Sequence, residues 1–222
     1  MFATLAQKLN PAAWLVPTTC LACGRKAKQS VCTNCHQGLV QEQRTQAVIV
    51  GQGGVKVWAW GTYRGALERA LHQLKYSGAY GWGRVMGEMM AQAWLKQGQD
   101  QTPWQVVAVP LSQERWQTRG YNQAEEISYT FARWTGLRHH PEWLTRTRAT
   151  QAQFSLGAEE RAANLKGAFA ASIAVKGKCI LLVDDIYTTG TTVAEAVAAL
   201  KAAGAVRVMA VVVARPVFRQ KA

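Results

Sequence analysis

Four apolar residues followed at once by two carboxylates, within the stretch ILLVDDIYTTGTT (180–192), constrain this chain more than any other feature. A short uninterrupted apolar run is what a strand buried on both faces of a parallel sheet requires. A strand is therefore expected over Ile180 to Val183, stopping at Asp184 and Asp185. Ile186 and Tyr187 follow, then Thr188-Thr189-Gly190-Thr191-Thr192, a hydroxyl-rich loop opening an Ala-rich helix that runs toward Ala203.

That order has chemical content. A helix start leaves N–H groups unpaired at the positive end of the macrodipole and suits a phosphate. Gly190 lets backbone approach it closely, and the threonine hydroxyls add donors. No lysine follows the glycine, and the two spaced glycines of a Walker-type loop are missing, which argues against that nucleotide loop. The adjacent aspartates suit vicinal sugar hydroxyls, or a hydrated Mg²⁺ beside them. Asp100 is the only other aspartate, so the pair is not compositional noise. A sugar carrying a phosphate satisfies both halves of the motif. The bland alternative is a capped helix after a core strand with two solvated acids.

The chain of 222 residues suits one compact domain plus an appendage. Its formal charge of +13 favours polyanionic partners: nucleic acid, phosphorylated metabolites or an anionic membrane surface. No apolar run is long enough to span a bilayer, and the opening MFATLAQKLNPAAWLV lacks a continuous signal-peptide core. A cytoplasmic protein is expected, with attachment to the inner face of the membrane through partners left open.

Four of the five cysteines form Cys20-x-x-Cys23 and Cys32-x-x-Cys35. Each Cys-x-x-Cys turn can place two thiolates on one metal, and two turns complete the tetrahedral shell of Zn²⁺. A structural zinc knuckle is expected, its negative shell compensated by Arg25, Lys26 and Lys28 between the pairs. Two disulfides or a redox dithiol are the alternatives. Cys179 reads as a buried small hydrophobe.

A polar connector over about Gln41 to Gly54 is expected to separate this knuckle, within 1–45, from a main domain over 46–222. Val55 to Tyr63 reads as a strand with Trp58 and Trp60 on one side. Arg64 to Tyr76 and Trp82 to Lys96 read as helices with apolar faces. Lys75, beside a glycine turn, reads as neutralising its helix end. Gln105 to Val109 is the next buried strand. Arg115 and Arg119 are placed in a loop after it, before a helix from about Asn122 to Trp134. Loops after parallel strands are where ligands of open α/β sheets bind, so these two are pyrophosphate candidates, against a reading as solvated arginines. The last part reads as strand, helix and a strand over Val206 to Ala214, a crossover that implies a doubly wound parallel sheet.

Residues 180–192 resemble the phosphoribosyl pyrophosphate (PRPP) motif of type I phosphoribosyltransferases. The resemblance implies that Asp184 and Asp185 hold the ribose 2′ and 3′ hydroxyls as the catalytic pair, while Thr188, Thr189, Gly190, Thr191 and Thr192 hold the 5′-phosphate. Adding the knuckle, LKYSG, VPLSQERWQTRGYNQAEEIS and LTRTRATQAQFSLGAEERAANLKGAFA, the chain resembles the ComF family over nearly its whole length. The Leu-Lys-Tyr stretch around Lys75 resembles one that recurs in this family, a resemblance that implies a phosphate contact and adds Lys75 to the pyrophosphate candidates. The implied fold is an α/β doubly wound parallel sheet of type I phosphoribosyltransferase type with a small N-terminal zinc-binding module. Arg146, Thr150, Gln151, Gln153, Arg161 and Asn164 match polar positions of the family pattern and are expected in a mobile segment over the site. The loop after Val109 lacks the short glycine-rich pyrophosphate cup common among characterised transferases.

The resemblance implies Mg²⁺-assisted transfer of a phosphoribosyl group to an unidentified acceptor with release of pyrophosphate. It also implies a role in DNA uptake and natural transformation, with single-stranded DNA and other competence proteins as partners. The alternative is a non-catalytic DNA-handling protein that keeps the PRPP site for sensing or as a scaffold. The nine tryptophans offer stacking platforms for bases, although several fall on apolar faces that read as core.

Overall fold

The computed structural model describes residues 18–44, 48–98, 102–147 and 165–216. It begins with a small module: β1 (Thr18–Thr19) pairs antiparallel with β2 (Lys26–Ala27), and α1 (Thr33–Val40) follows. The main sheet then takes β3 (Val48–Val50) and β4 (Lys56–Thr62), followed by α2 (Gly65–Tyr76) and α3 (Gly81–Lys96). Next come β5 (Trp104–Ala108), α4 (Gln113–Arg119), α5 (Gln123–Thr135) and β6 (Arg138–His139). A two-stranded hairpin of β7 (Leu144–Arg146) and β8 (Phe169–Ala171) precedes β9 (Cys179–Ile186), α6 (Thr191–Ala202) and β10 (Arg207–Arg215).

The six-stranded sheet has the order β3-β4-β10-β9-β5-β6. All neighbours are parallel except β3, which runs antiparallel along the β4 edge. β9 is therefore central, and its residues alternate between two cores. Leu181 and Val183 join Trp58, Leu71, Met90 and Phe131 on the face covered by α2, α3 and α5. Ile180 and Leu182 join Val193, Val197 and Leu200 of α6 on the other. Each such side chain contributes about 1.5–3 kcal/mol by burial, which is why β9 has no polar position until the acids.

The close approach of α3 and α5 depends on missing side chains. A Cβ on Gly87 would lie 2.5 Å from the carbonyl oxygen of Ile127, and one on Gly83 would lie 2.6 Å from Glu126 Cβ. Glycine at these two positions brings the helices together without displacing backbone.

Four expectations need correction. β9 does not stop at the acids; it continues to Ile186, with Asp184 in register with Val212 and Ile186 with Ala214. Pairing with β10 on one side holds the backbone extended, and this overrides the low strand propensity of aspartate. The stretch carrying Arg115 and Arg119 is a helix, because Ser112 caps it and left-handed Gly120 ends it. The connector after Gln41 is not featureless, since Val48–Val50 pairs with β4. Its short apolar VIV run is masked in the sequence by the polar residues around it. Cys179 is partly rather than fully buried.

Candidate functional site

The alternation that fills the two cores also separates the acids. Asp185 shares the face of Leu181 and Val183, toward α2, while Asp184 shares the face of Ile180 and Leu182. Asp184 Oδ1 turns back to accept the Asp185 N–H at 2.8 Å. Asp185 Oδ2 lies 2.9 Å from Lys75 Nζ, with the carboxylate side chain 7% and the lysine 19% exposed. Burial, and next the charge of Asp185, push the Asp184 carboxyl up to about 8, against the Asp185 N–H and Lys75. The Tyr63 phenol is also raised, by burial first, with Lys75 opposing and Asp185 reinforcing. Lys75 thus stands opposite an acid of the motif instead of merely ending α2.

Gly190 occupies the left-handed region at φ +87° and is the residue from which α6 starts. Its missing side chain has a second use. The Tyr187 ring lies where a Cβ on Gly190 or on Gly51 would be, and Tyr187 Oη accepts the Gln52 N–H at 2.8 Å. The tyrosine therefore pins the loop to the turn between β3 and β4. Thr188 and Thr189 are exposed, Thr191 and Thr192 partly so, and the Thr189 and Thr191 hydroxyls lie 3.1 Å apart. The loop thus presents hydroxyls and a helix start to the solvent above the carboxyl edge of the sheet.

A cleft of about 410 Å³ is lined by Lys75, Tyr76, Gly78, Arg115, Thr118, Arg119 and Tyr121, with one acid, Glu114, beside the three cations. The three pyrophosphate candidates thus share one cavity. Helical spacing puts Arg115 and Arg119 on one side of α4. Arg119 Nη1 donates to Gln123 Oε1 at 3.0 Å, and its guanidinium lies 5.3 Å from the centre of the Tyr76 ring. Tyr121 is buried, its Oη has no hydrogen-bond partner among the described residues, and its ring meets Tyr80 at 4.4 Å. Asn122 holds the exit of β5 in place: its Nδ2 donates to Val109 O and its Oδ1 accepts the Ala124 N–H, both at 3.1 Å.

Arg146 lies over the Phe169 ring at 5.6 Å, and its guanidinium is lowered by burial and then by the charge of Arg115. It therefore belongs to the same electropositive neighbourhood. Gln151, Gln153 and Arg161, with Thr150 and Asn164, lie outside the described residues. Tyr63, Tyr121 and Tyr187 escape sequence reasoning. Aromatic residues on strand ends and loops leave no periodic signal that distinguishes a site wall from core.

In the N-terminal module the Sγ atoms of Cys20, Cys23, Cys32 and Cys35 all lie within 4.8 Å of one another. The Cys32 N–H donates to Cys20 Sγ at 3.3 Å. Burial opposes ionisation of Cys20, but N–H groups of Cys32, Cys23 and Ala22 outweigh it and bring the thiol down to about 6. The hydrogen bond to Cys32, and next burial, push the Cys35 thiol up to about 12, so one thiol is drawn toward thiolate and another held protonated. A four-sulfur cluster of this size fits a tetrahedral metal ion. Arg25, Lys26 and Lys28 lie between the two cysteine pairs in the chain, all three at the surface. Cys20, Val31 and Leu39 join the same core as α2 and α3.

Residues 142–221 match the family model described as a phosphoribosyl transferase domain. The chain is 34% identical over 183 residues to the DNA utilization protein YhgH of Escherichia coli K12, covering 80% of this chain and 75% of that protein. It is 35% identical over 96 residues to competence protein F of Haemophilus influenzae, 42% of each chain. It is 31% identical over 152 residues to competence protein ComFC of Streptococcus pneumoniae, covering 68% of this chain and 64% of that protein. No helix among the described residues is long and apolar enough to cross a membrane.

Proposed function

The chain belongs to the ComF family, and from that premise we propose that it binds PRPP with Mg²⁺ at the carboxyl edge of β9 and acts in DNA uptake. The observation that carries the reading is the placement of Lys75. It joins the acid pair to the cleft of Arg115 and Arg119, so that sugar-binding and anion-binding groups adjoin. In this reading Asp184 and Asp185 accept hydrogen bonds from the ribose hydroxyls. The loop of Thr188 to Thr192 and the start of α6 hold the 5′-phosphate, and the cleft cations hold the pyrophosphate.

Transfer would break the bond from the anomeric carbon to pyrophosphate, which leaves with the electron pair. A nucleophilic acceptor forms the new bond and releases its proton to solvent. The positive charge that develops on the sugar needs no covalent nucleophile from the protein. What the residues supply is position, and neutralisation of the departing charge by Lys75, Arg115 and Arg119. Mg²⁺ accompanying the substrate would add to that neutralisation. Four sulfurs in reach of one another support Zn²⁺ as a structural ion in the N-terminal module, with 1–45 and 46–222 as the two units of the chain.

The names of the relatives favour a DNA-related role, and the net charge of +13 fits a single-stranded nucleic acid partner. Other competence proteins are the partners this role implies, and the interior of the cell, free or at the inner membrane face, is its setting. Calorimetric titration of PRPP with Mg²⁺ into the zinc-loaded protein tests the site. Binding by the native chain and none by an Asp184→Asn, Asp185→Asn variant supports it and justifies a screen of acceptors for pyrophosphate release. Absence of binding by the native chain rejects the transferase reading and leaves the DNA-handling one. For the latter, DNA affinity should fall steeply with salt and survive Asp184→Asn.

A further inference from the structure

Two arginines come together at the carboxyl edge of β4 and β10 with no acid among the described residues in ion-pair contact with either. Arg215 ends β10 in register with Thr62, which ends β4. Arg44 donates through Nη1 to Thr62 Oγ1 at 3.2 Å, and its backbone N–H donates to Trp60 O. Both arginines thus flank the same threonine. Both are partly buried, and each has its Nε sealed from solvent with no hydrogen-bond partner among the described residues. Burial first, and the like charge of Arg215 second, lower the Arg44 guanidinium. Among the described residues neither arginine has an ion-pair partner, and Glu42, two positions before Arg44, is engaged by Arg64 at 2.6 Å.

Leaving charged donors buried and unpaired is unfavourable, and placing two like charges together adds repulsion. A bound anion would relieve both. We infer that Arg44, Arg215 and Thr62 form a second anion seat, separate from the Lys75, Arg115 and Arg119 cleft, that takes a phosphate group. Two guanidinium forks and a hydroxyl match the acceptor geometry of a phosphate.

The surroundings place this seat beside the candidate site without merging with it. The Tyr63 N–H donates to Arg215 O at 2.8 Å, and the same tyrosine feels the charges of Lys75 and Asp185. The Tyr187 N–H donates to Ala214 O at 2.9 Å, so Arg215 stands next to the head of the phosphate loop. Cations therefore recur along one sheet edge, from α4 through Lys75 to Arg215 and Arg44. A free phosphate and a link of a single-stranded nucleic acid present the same chemistry to this seat. The seat rests on its own residues and does not require PRPP to bind.

The test follows the arginine Nε–H resonances of the isotopically labelled, zinc-loaded full chain in chloride buffer at constant ionic strength. Arg44→Lys and Arg215→Lys variants assign the two signals while keeping the charge, and their amide spectra report whether the fold is intact. Saturable shifts of both signals with inorganic phosphate are expected. If a short oligothymidylate without terminal phosphates moves them too, the source is nucleic acid; if only inorganic phosphate does, it is a free anion. Failure of both probes to move either signal overturns the seat. A separate titration with PRPP and Mg²⁺ reads the amides of Thr188 to Thr192, so that failure of the PRPP site is seen independently. For the nucleic acid case, an Arg44→Gln, Arg215→Gln variant should reduce the slope of log affinity against log salt by roughly 0.7 for each phosphate that is no longer neutralised. An unchanged slope would assign the oligonucleotide to another surface and overturn the nucleic acid source.

Discussion

Lys75 Nζ lies 2.9 Å from Asp185 Oδ2, and the pair spans the gap between the end of α2 and the carboxyl end of β9. The lysine is the only cation within salt-bridge distance of either motif acid among the described residues. It therefore pairs with Asp185 in a position that is nearly closed to solvent, and it carries positive charge to the wall of the cleft.

Replacing Lys75 with Met separates these roles. Removing one partner of a buried pair leaves the other charged and unpaired, at a cost of about 3 kcal/mol or more near neutral pH. Denaturant unfolding of Lys75→Met should show that loss, and an added Asp185→Asn substitution should recover most of it. PRPP affinity should fall at least about tenfold in the single variant and stay low in the double one. Recovery of affinity in the double variant would mean that the lysine serves Asp185 alone.

Asp184 gives a pH signature of opposite sign to an ordinary ion-paired carboxylate. Its value in the folded chain is about 8 against an ordinary 3.8, so between those limits the folded state binds a proton that the unfolded state does not. Stability from this group is present below pH 4 and is lost as pH rises toward 8. Asp184→Asn should therefore unfold at higher denaturant than the native chain at pH 8, by several kcal/mol, with the difference shrinking to nothing near pH 4. A gain that is the same at both pH values would show that the carboxyl titrates normally.

The parts of the fold legible in the sequence are those where one requirement dominates. The ILLV run is readable because a central parallel strand is buried on both faces, and the alternation of Trp58 and Trp60 because both lie in one core. Cys20, Cys23, Cys32 and Cys35 are legible because metal-ligand spacing is local. What escapes depends on distant partners. The extension of β9 through two aspartates follows from pairing with β10, and β3 from an edge offered by β4. The helical state of the stretch holding Arg115 and Arg119 hangs on one cap, the Ser112 hydroxyl 3.4 Å from the Arg115 nitrogen. Lys75 is ambiguous in the sequence because nothing within α2 says that Asp185 faces it.

The four-sulfur module should couple to the stability of the whole chain. Val31 and Leu39 of the module lie in the core that includes α2 and α3, so loosening it removes packing from helices that lead to Lys75. Treatment with a strong chelator, or Cys32→Ser, should lower the melting temperature and release about one Zn²⁺ per chain by a chromogenic assay. Exposure of Trp82, buried in that same core, should accompany it as a red shift in fluorescence. Retention of full stability after quantitative metal loss would make the module an independent appendage.

Tyr187 tests whether the phosphate loop is held or merely placed. Its ring fills the space left by Gly51 and Gly190, and its hydroxyl accepts the Gln52 N–H at 2.8 Å. Tyr187→Phe keeps the ring and removes the acceptor, at about 1 kcal/mol of stability. Because the missing bond ties the loop to the β3–β4 turn, the variant should bind PRPP several-fold more weakly while the sugar-binding acids stay in place. Hydrogen exchange should rise at the amides of Gln52 and of 188–190 together. Gly190→Ala is the harsher counterpart, since a methyl would meet the tyrosine ring and L residues rarely adopt a φ of +87°. If Tyr187→Phe leaves both PRPP affinity and exchange unchanged, the loop is held by the start of α6 alone, and the tyrosine serves only as packing.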